Sequence, residues 1–374
     1  MSAKKLGFGM MRLPLTDKND ASSIDIEQTK RMVDAFIAGG FTYFDTAWMY
    51  CSHKSEDAVK TALVDRHPRD SFTLATKLHS GYIETKEDRD RIFNEQLRKT
   101  GAGYFDYYLI HDVNRGDYDK YLRLECFEWL REKKKAGLVK NIGFSFHDGA
   151  DFLEKVLNEQ KGLDFVQLQI NYLDWDSDGV QSRKCYECAT AHGLPVVVME
   201  PVKGGTLAKV PEAAEKMFRS HAPDMSVPSW AIRFAAGLDN VMMVLSGMSN
   251  MEQLEDNMSY MSDPVPLDSE EQAIVRSAVN IINGSVAVPC TGCAYCVEGC
   301  PMNIPIPKYF SLYNADLQET DEKGWKPQGE YYDNLTKDHG KAGDCIGCGQ
   351  CEGICPQHLH IIDGMKTVAE YFGK

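Results

Sequence analysis

Residues 42–50 read Thr-Tyr-Phe-Asp-Thr-Ala-Trp-Met-Tyr, a short apolar run that ends in an acid and passes into a loop. The stretch before it, Ile26–Ala38, places apolar residues on one helical face, and Gly39-Gly40 stops it. A β-strand at Thr42–Asp45 therefore follows an amphipathic helix. This alternation of strand and helix recurs along most of the chain, which predicts an α/β fold.

Working outward from this stretch gives eight candidate strands, mostly apolar, as parallel strands buried on both faces are. They are Leu6–Met11, Thr42–Asp45, Phe72–Thr76, Tyr107–Ile110, Asn141–Phe144, Phe165–Ile170, Pro195–Met199 and Val241–Leu245. The candidate helices are Ile26–Ala38, Glu56–Val64, Asp88–Lys99, Tyr121–Lys135, Ala150–Asn158, Gln181–Ala191, Val227–Ala236 and Met251–Tyr260. Eight β–α units in about 260 residues predict a (β/α)8 TIM barrel. A doubly wound sheet is the alternative, but Gly7-Phe8-Gly9-Met10-Met11-Arg12 lacks the third glycine of its dinucleotide fingerprint.

Two copies of one cysteine pattern lie near the C-terminus. They are Cys290-x-x-Cys293-x-x-Cys296-x-x-x-Cys300-Pro301 and Cys345-x-x-Cys348-x-x-Cys351-x-x-x-Cys355-Pro356. This spacing is that of bacterial two-cluster ferredoxins, in which the fourth cysteine of each run binds the other cluster. It predicts two 4Fe–4S clusters, one on Cys290, Cys293, Cys296 and Cys355, the other on Cys345, Cys348, Cys351 and Cys300. Zinc ribbons use paired C-x-x-C, and disulfide frameworks suit short secreted chains, so neither alternative fits.

The cysteine runs define a second, smaller domain. A helix at Ser269–Ile282 closes the barrel, a linker spans residues 283–289, and we predict domains at 1–283 and 284–374. Ile306–Leu317 and Ile361–Phe372 have helical patterns, Glu319–Gly329 is polar and predicts a loop, and strand signals are few. The small domain should therefore be a mainly helical, ferredoxin-like dicluster domain.

Composition limits the class of partner and the compartment. The formal net charge is -14 and the pI is about 5.2, which argue against a nucleic-acid partner. No apolar run is long enough to cross a membrane, and the N-terminus lacks the apolar region of an export signal. Twelve cysteines without such a signal indicate a reducing cytoplasm.

Polar residues follow consecutive predicted strands at the barrel end where TIM-barrel enzymes keep their chemistry. Asp45 ends the second strand and its loop carries Tyr50, while Lys77 and His111 end the third and fourth. This order of Asp-x-x-x-x-Tyr, Lys and Ile-His resembles the aldo-keto reductase family, over roughly residues 5–260. The resemblance implies hydride transfer between a nicotinamide cofactor and a small carbonyl or alcohol substrate, with these four residues as catalytic tetrad.

The four residue types suit that chemistry. Reduction of a carbonyl needs a proton donor, and the resemblance gives Tyr50 that role, although free tyrosine has a pKa of about 10. An ammonium about 4 Å away stabilises the tyrosinate by about 4 kcal/mol at an effective dielectric of about 20. We therefore expect Lys77 to lower the pKa of Tyr50, Asp45 to keep Lys77 charged, and His111 to orient the carbonyl oxygen.

The resemblance also implies the cofactor positions. Ser145, in Gly143-Phe144-Ser145-Phe146-His147, and Gln169 match the residues that hold the nicotinamide amide. Met199 replaces the aromatic residue that stacks on the ring, and Met10 and Met11, at the end of the first predicted strand, are further expected contacts. The adenosine-phosphate loop corresponds to residues 246–257, and its expected contacts are Ser246, Gly247, Ser249, Gln253 and Asn257.

That loop contains no lysine or arginine to meet the 2′-phosphate of NADP, so we predict a preference for NAD(H). Lys203 or Arg233 reaching over to the phosphate would be the exception. Nicotinamide moves two electrons and a 4Fe–4S cluster moves one, which leaves two alternatives open. The chain could be an electron-transfer protein that uses the clusters as a relay to a redox partner protein. It could also catalyse a net non-redox elimination or epimerisation with retained NAD.

Overall fold

Eight parallel strands close into one barrel in chain order, which confirms the predicted TIM barrel. The computed structural model describes residues 4–284, 287–290, 292–319, 326–355 and 357–373. The strands are β1 Leu6–Gly9, β2 Tyr43–Asp45, β3 Thr73–His79, β4 Phe105–Val113, β5 Val139–Phe146, β6 Phe165–Gln169, β7 Val196–Met199 and β8 Val241–Gly247. Each strand pairs with the next, and β8 pairs with β1.

A cluster of buried apolar side chains, here called the plug, fills the barrel interior, and the polar residues of the mouth lie directly above it. Its buried residues are Tyr43, Ala75, Leu109, Phe165, Val197, Met243 and Leu245. Gly143 lacks a side chain because Phe165 packs there: a Cβ on Gly143 would lie 2.4 Å from the Phe165 carbonyl oxygen. Side chains alternate along a strand, so the residue two positions after a plug residue also points inward, one step nearer the mouth. This rule brings Asp45, Lys77 and His111 to the mouth.

Helices surround the barrel and continue into the second domain. In the barrel half they are α1 Ile26–Ala38, α2 Tyr50–His53, α3 Ser55–Val59, α4 Lys86–Thr100, α5 Tyr118–Arg123, α6 Cys126–Lys135, α7 Ala150–Glu159, α8 Ser182–Ala191, α9 Glu212–His221, α10 Val227–Ala236, α11 Met251–Met261 and α12 Ser269–Asn283. In the second half they are α13 Tyr295–Glu298, α14 Ile306–Gln318, α15 Pro327–Asp338, α16 Gln350–Ile354 and α17 Ile361–Phe372. The sequence of the second half has few strand signals, which predicted a mainly helical domain, and its described elements are helical.

Several predicted boundaries differ from the structure. The first strand stops at Gly9 rather than Met11, while β3 continues to His79 and β4 to Val113, beyond the predicted ends. The predicted helix Tyr121–Lys135 is two helices, because Glu125 has a φ of 51° between them. The predicted helix Glu56–Val64 is α3 followed by a π-helical turn at Lys60–Val64.

The predicted loop Glu319–Gly329 is partly wrong, since α15 begins at Pro327. Residues 320–325 of that loop, part of the predicted linker, and Pro356 lie outside the described residues. Proline at the first helical position is a good helix start, because its missing N–H has no partner there anyway. Among the described residues, no helix has the length and apolar character needed to span a membrane.

Helix α15 joins the second domain to the mouth of the barrel. On one side, Tyr332 packs in the core of the second domain, with ring centroids 4.6 Å from Tyr309 and 4.7 Å from Phe372. On the other side, Asn334 donates a hydrogen bond to the His147 carbonyl oxygen at 3.1 Å. Asn114, just after β4, donates to Glu330 at 3.1 Å. The cysteine-rich domain is therefore docked at the carboxyl ends of β4 and β5.

Candidate active site

A cavity of about 660 Å³ opens at the carboxyl ends of the barrel strands. Its lining combines polar groups from the seven strands β2 to β8 and their loops with apolar and polar residues from residues 9–21. The lining residues are Gly9, Met11, Arg12, Leu13, Leu15, Lys18, Asn19, Ala21, Asp45, Met49, Tyr50, Cys51, His79, His111, Asp112, His147, Gln167, Met199, Glu200, Leu245, Gly247 and Ser249. The size and position are those of a small-molecule site in a TIM barrel.

Lys77 lies behind Asp45 and Tyr50, which line this cavity, and is fully buried. Its ammonium donates to the Asp45 carboxylate at 2.6 Å and to the Thr46 carbonyl oxygen at 2.8 Å. The third contact is the Tyr50 hydroxyl, 3.4 Å from Lys77 Nζ. Asp45 raises the pKa of Lys77 despite the burial that opposes it. Lys77 is therefore a buried cation directed at the tyrosine hydroxyl.

The net pKa of Tyr50 differs from the expectation drawn from the sequence. Burial raises this pKa, and the lowering by Lys77 is the smaller contribution. Tyr50 therefore keeps its proton at neutral pH, as a proton donor must. At 3.4 Å, the Lys77 ammonium would attract a tyrosinate by about 5 kcal/mol for an effective dielectric of about 20.

His111 projects from β4 beside Tyr50, with ring centroids 6.0 Å apart. Burial, reinforced by the nearby Lys77 charge, lowers the pKa of His111 well below its ordinary range. The imidazole is thus neutral at neutral pH and offers a hydrogen bond without a full charge. Asp45, Tyr50 and His111 line one cavity, and Lys77 lies buried behind them, in contact with Asp45 and Tyr50.

Two further histidines and one aspartate extend this polar surface, and sequence reasoning gave them no role. His79 lies two residues after Lys77 on β3, and its ring centroid is 5.3 Å from that of His111. Its Nε2 is 3.9 Å from Asp112, which has a φ of 56°. His147 follows β5. The alternation along β3 would have identified His79, had the strand been extended past Lys77.

The expected nicotinamide-end contacts divide between the cavity and the core. Ser145 is buried, and its hydroxyl accepts the Asp112 N–H at 2.8 Å, beside the cavity wall. Met11 and Met199 line the cavity. Met10 does not: its side chain is fully buried in the hydrophobic core, so only its neighbour can touch a cofactor. The Met10 expectation is therefore corrected to Met11 alone.

Gln167, rather than Gln169, faces the cavity. The Gln169 amide donates to Asp174 at 3.0 Å, below the β6–α8 loop. Gln167 donates to the Met199 sulfur at 3.3 Å, and its own carbonyl oxygen is buried with no hydrogen-bond partner among the described residues. Both glutamines point inward because they are two residues apart, and the sequence pattern could not separate them.

The expected phosphate loop contains two kinds of residue. Ser246 and Asn257 are buried and bonded to each other at 2.7 Å, so they brace the loop from inside. Gly247, Ser249 and Gln253 are exposed at the start of α11, where Gln253 accepts the Ser249 N–H at 2.7 Å. The Gln253 N–H in turn donates to the Asn250 side chain at 2.9 Å.

Arg12 lies beside this loop, which the sequence analysis had treated as free of cations. Its carbonyl oxygen accepts the Ser249 hydroxyl at 2.8 Å. A Cβ on Gly247 would lie 3.2 Å from the Arg12 Cδ atom, so the arginine side chain packs on the glycine. The two cations that the sequence analysis considered for the 2′-phosphate form ion pairs elsewhere. Lys203 is fully buried and pairs with Asp174 at 2.9 Å, and Arg233 pairs with Glu271 at 2.7 Å.

The eight cysteines of the two runs surround two further cavities. One cavity is lined by Cys290, Cys293, Cys296 and Cys355, together with apolar residues such as Phe310 and Ile361. The other is lined by Cys300, Cys345, Cys348 and Cys351, with Ile304 and Met365 among its apolar residues. Each cavity thus meets three cysteines of one run and the fourth of the other. Four thiols around an apolar space fit a 4Fe–4S cluster.

Comparison with known proteins supports the fold and its two parts. The sequence matches the Aldo/keto reductase family over residues 5–280 and the 4Fe-4S dicluster domain over residues 289–360. An uncharacterized oxidoreductase of Bacillus subtilis is 24% identical over 289 residues, which cover 69% of this chain and 87% of that protein.

Solved structures share the barrel. The holo form of an aldo-keto reductase from Bacillus halodurans is 24% identical and has a TM-score of 0.60, covering 73% of this chain and 91% of the other. A Klebsiella pneumoniae aldo-keto reductase in complex with NADPH is 18% identical, with a TM-score of 0.58, covering 74% of this chain and 95% of the other. The family match spans well over half of the sequence, so this chain belongs to the aldo/keto reductase family and carries a 4Fe-4S dicluster domain in addition.

Proposed function

We propose that the barrel interconverts a small carbonyl compound and its alcohol by hydride transfer, with Tyr50 as general acid and base. The observation that carries this proposal is the buried chain Asp45–Lys77–Tyr50, in which the ammonium contacts a carboxylate at 2.6 Å and the hydroxyl at 3.4 Å. A buried ion pair of this kind is weak evidence for a stabilising role in the barrel core. It suits a site where a hydroxyl must release and recover a proton.

The residues act in a defined order in the reducing direction. His111 donates a hydrogen bond to the substrate oxygen and places it beside the Tyr50 hydroxyl. Tyr50 releases its proton to that oxygen as negative charge develops there. Lys77, kept charged by Asp45, stabilises the tyrosinate that remains. A nicotinamide cofactor, when bound, supplies the hydride that the substrate carbon receives.

The cofactor would lie across the mouth. Ser145 and Gln167 would hold its amide end, Met11 and Met199 would contact the ring, and Gly247, Ser249 and Gln253 would meet the phosphate end. The carbonyl oxygens of Gln167 and Gln169 are both buried without a hydrogen-bond partner among the described residues, but only Gln167 lines the cavity, where a ligand could satisfy that oxygen. NAD(H) remains our preferred cofactor, because Lys203 and Arg233 are committed to buried acids.

The test is Tyr50→Phe, with Tyr82→Phe as matched control. Tyr82 packs against Trp48, His53 and His79 near the cavity, but does not line it. The Tyr50 variant should lose roughly 10²–10⁴-fold in turnover of aldehydes and ketones. It should still bind NADH, as measured by fluorescence, and the control should keep its activity. Near-normal turnover in the Tyr50 variant would reject the assignment.

We further propose that each cysteine-lined cavity holds one cluster, with crossed ligand sets. Bound clusters supply one-electron transfer. An electron relay is the second candidate function, and the docking of α15 on the mouth favours it, because that helix touches the barrel at His147. Under anaerobic conditions, bleaching of the cluster absorbance by NADH would support the relay. Clusters that stay oxidised in NADH while carbonyl turnover proceeds would assign them another role.

A further inference from the structure

A cluster of three different donor atoms lies on the outer helices, away from the cavity. Glu154 belongs to α7, Cys188 belongs to α8, and His192 is the capping residue directly after α8. Their donor atoms all lie within 4.8 Å of one another. Cys188 and His192 are four residues apart, so the helix presents them on one face. The catalytic mechanism and the clusters use none of the three.

One carboxylate oxygen organises the group. Glu154 Oε2 accepts from the Cys188 thiol at 3.2 Å and lies 3.0 Å from His192 Nε2. The other oxygen, Oε1, accepts a hydrogen bond from Asn158 at 2.9 Å. Asn158 therefore orients the carboxylate so that Oε2 points at the sulfur and the imidazole. An outer partner that orients a donor in this way is typical of a metal site.

The arrangement does not suit a reactive thiol. A nucleophilic cysteine contacts a histidine base, whereas Cys188 contacts the carboxylate. A bound divalent cation would displace the thiol proton, because the thiolate is the form of cysteine that binds a metal.

We propose that Glu154, Cys188 and His192 form a zinc site that clamps α7 to α8, with water completing the coordination. Sulfur, imidazole nitrogen and carboxylate oxygen are the donors that Zn²⁺ takes in proteins, at about 2.0–2.3 Å. Donors at those lengths stand roughly 3.3–3.7 Å apart in a tetrahedron. The two contacts of 3.2 and 3.0 Å would open by a few tenths of an ångström, and the sulfur and imidazole nitrogen, which lie within 4.8 Å of each other, would approach by up to about 1 Å. Thiolate and carboxylate neutralise the ion, and the last turn of α8 adds a favourable dipole.

Equilibrium dialysis of the anaerobically purified, cluster-loaded protein against buffered Zn²⁺ tests the site, with zinc and iron measured together. Wild type should bind about one zinc per chain, and Cys188→Ser and His192→Gln should lose it with iron content unchanged. Asn158→Ala should weaken zinc binding by about tenfold. Glu187→Gln, exposed on the same helix, is the matched control and should keep the zinc.

X-ray absorption at the zinc edge separates this site from zinc on the cluster cysteines. One sulfur with nitrogen and oxygen neighbours is expected, whereas a shell of sulfur alone would place the zinc in the second domain and overturn the proposal. So would zinc retained by Cys188→Ser, or no zinc bound by wild type.

Discussion

Asp45 decides the charge of the buried lysine. Lys77 has no exposed surface, and its charge is held by the Asp45 carboxylate, whose second oxygen is buried with no hydrogen-bond partner among the described residues. Removal of one member of a buried ion pair costs about 3–5 kcal/mol, because the other charge is left uncompensated. The catalytic and the structural consequences of this pair can therefore be separated by substitution.

We predict that Asp45→Asn lowers both turnover and stability. The lysine should lose its proton more readily, so the tyrosinate loses its stabilising charge and turnover should fall by about 10²-fold or more. The thermal unfolding midpoint should fall too. In Asp45→Asn/Lys77→Met the unpaired charge is gone, so stability should recover in part while turnover should not. Wild-type turnover in the single variant would contradict the role given to Asp45.

The residues expected at the phosphate end of the cofactor give a prediction about the choice between NADH and NADPH. Without a formal positive charge in residues 247–253, the 2′-phosphate should be held less well, and NADH should bind about tenfold more tightly than NADPH. Ser249→Arg should shift the preference towards NADPH. In this chain Arg12 packs against Gly247, so Arg12 is the residue that opposes the prediction.

Fluorescence titration of wild type, Ser249→Arg and Arg12→Ala with both dinucleotides distinguishes these cases. Arg12→Ala should leave the ratio of affinities unchanged if the arginine does not meet the 2′-phosphate. Equal affinities in wild type, together with a selective loss of NADPH binding in Arg12→Ala, would show that Arg12 serves NADP and that the NAD preference is wrong.

At the scale of elements, the barrel was predictable and the docking helix was not. The strands are apolar runs, and their inward positions are fixed by alternation, so Asp45, Lys77 and His111 followed from strand ends alone. Gln169 was named from the family resemblance, and alternation places Gln167 on the same face; only the structure, in which Gln169 bonds Asp174, separates the two. The first residues of α15 were predicted as the end of a polar loop, and no helix was predicted after it. Glu330 and Asn334 contact polar groups at the mouth of the barrel rather than an apolar core.

Helix α15 also carries a pH-sensitive contact. Burial, with Asp112 and Asp117 nearby, raises the pKa of Glu330 to about 7 from 4.5. The folded state therefore holds this proton more tightly than the unfolded state. The resulting stabilisation is complete below the ordinary value and is lost as the pH rises through about 7. We predict that the docking of α15 weakens over this range.

Hydrogen exchange of the α15 amides at pH about 5 and about 8, corrected for intrinsic rates, measures this effect. Glu330→Gln resembles the protonated form and should flatten the dependence, while Glu298→Gln, exposed on α13, should not. An unchanged pH dependence in the Glu330 variant would assign the effect to other groups, of which Glu319, with a pKa raised to about 7 chiefly by burial, is the first to examine.

The barrel and the cysteine-rich domain have separate clusters of buried residues, although Val180 from the barrel half packs in the core of the second domain. Polar contacts near His147 and Glu330, and a hydrogen bond from Thr206 to the Gln318 carbonyl oxygen at 2.9 Å, connect them. The second domain thus touches the loops that follow β4, β5 and β7. A change in that domain can reach the active site through these contacts without a separate partner protein.

The crossing of the cluster ligands gives a prediction for the whole second domain. Two complete runs imply about eight irons per chain. If Cys290 and Cys355 hold the same cluster, as their shared cavity indicates, either serine variant should lose up to about four irons, and the double variant should lose no more. Cys290→Ser/Cys300→Ser, by contrast, should affect both clusters and lose up to about eight. If each run held its own cluster, the two double variants would exchange their results, because Cys290 and Cys300 would then share one cluster. Iron and sulfide assays of the anaerobically reconstituted variants therefore decide the connectivity without a structure of the loaded protein.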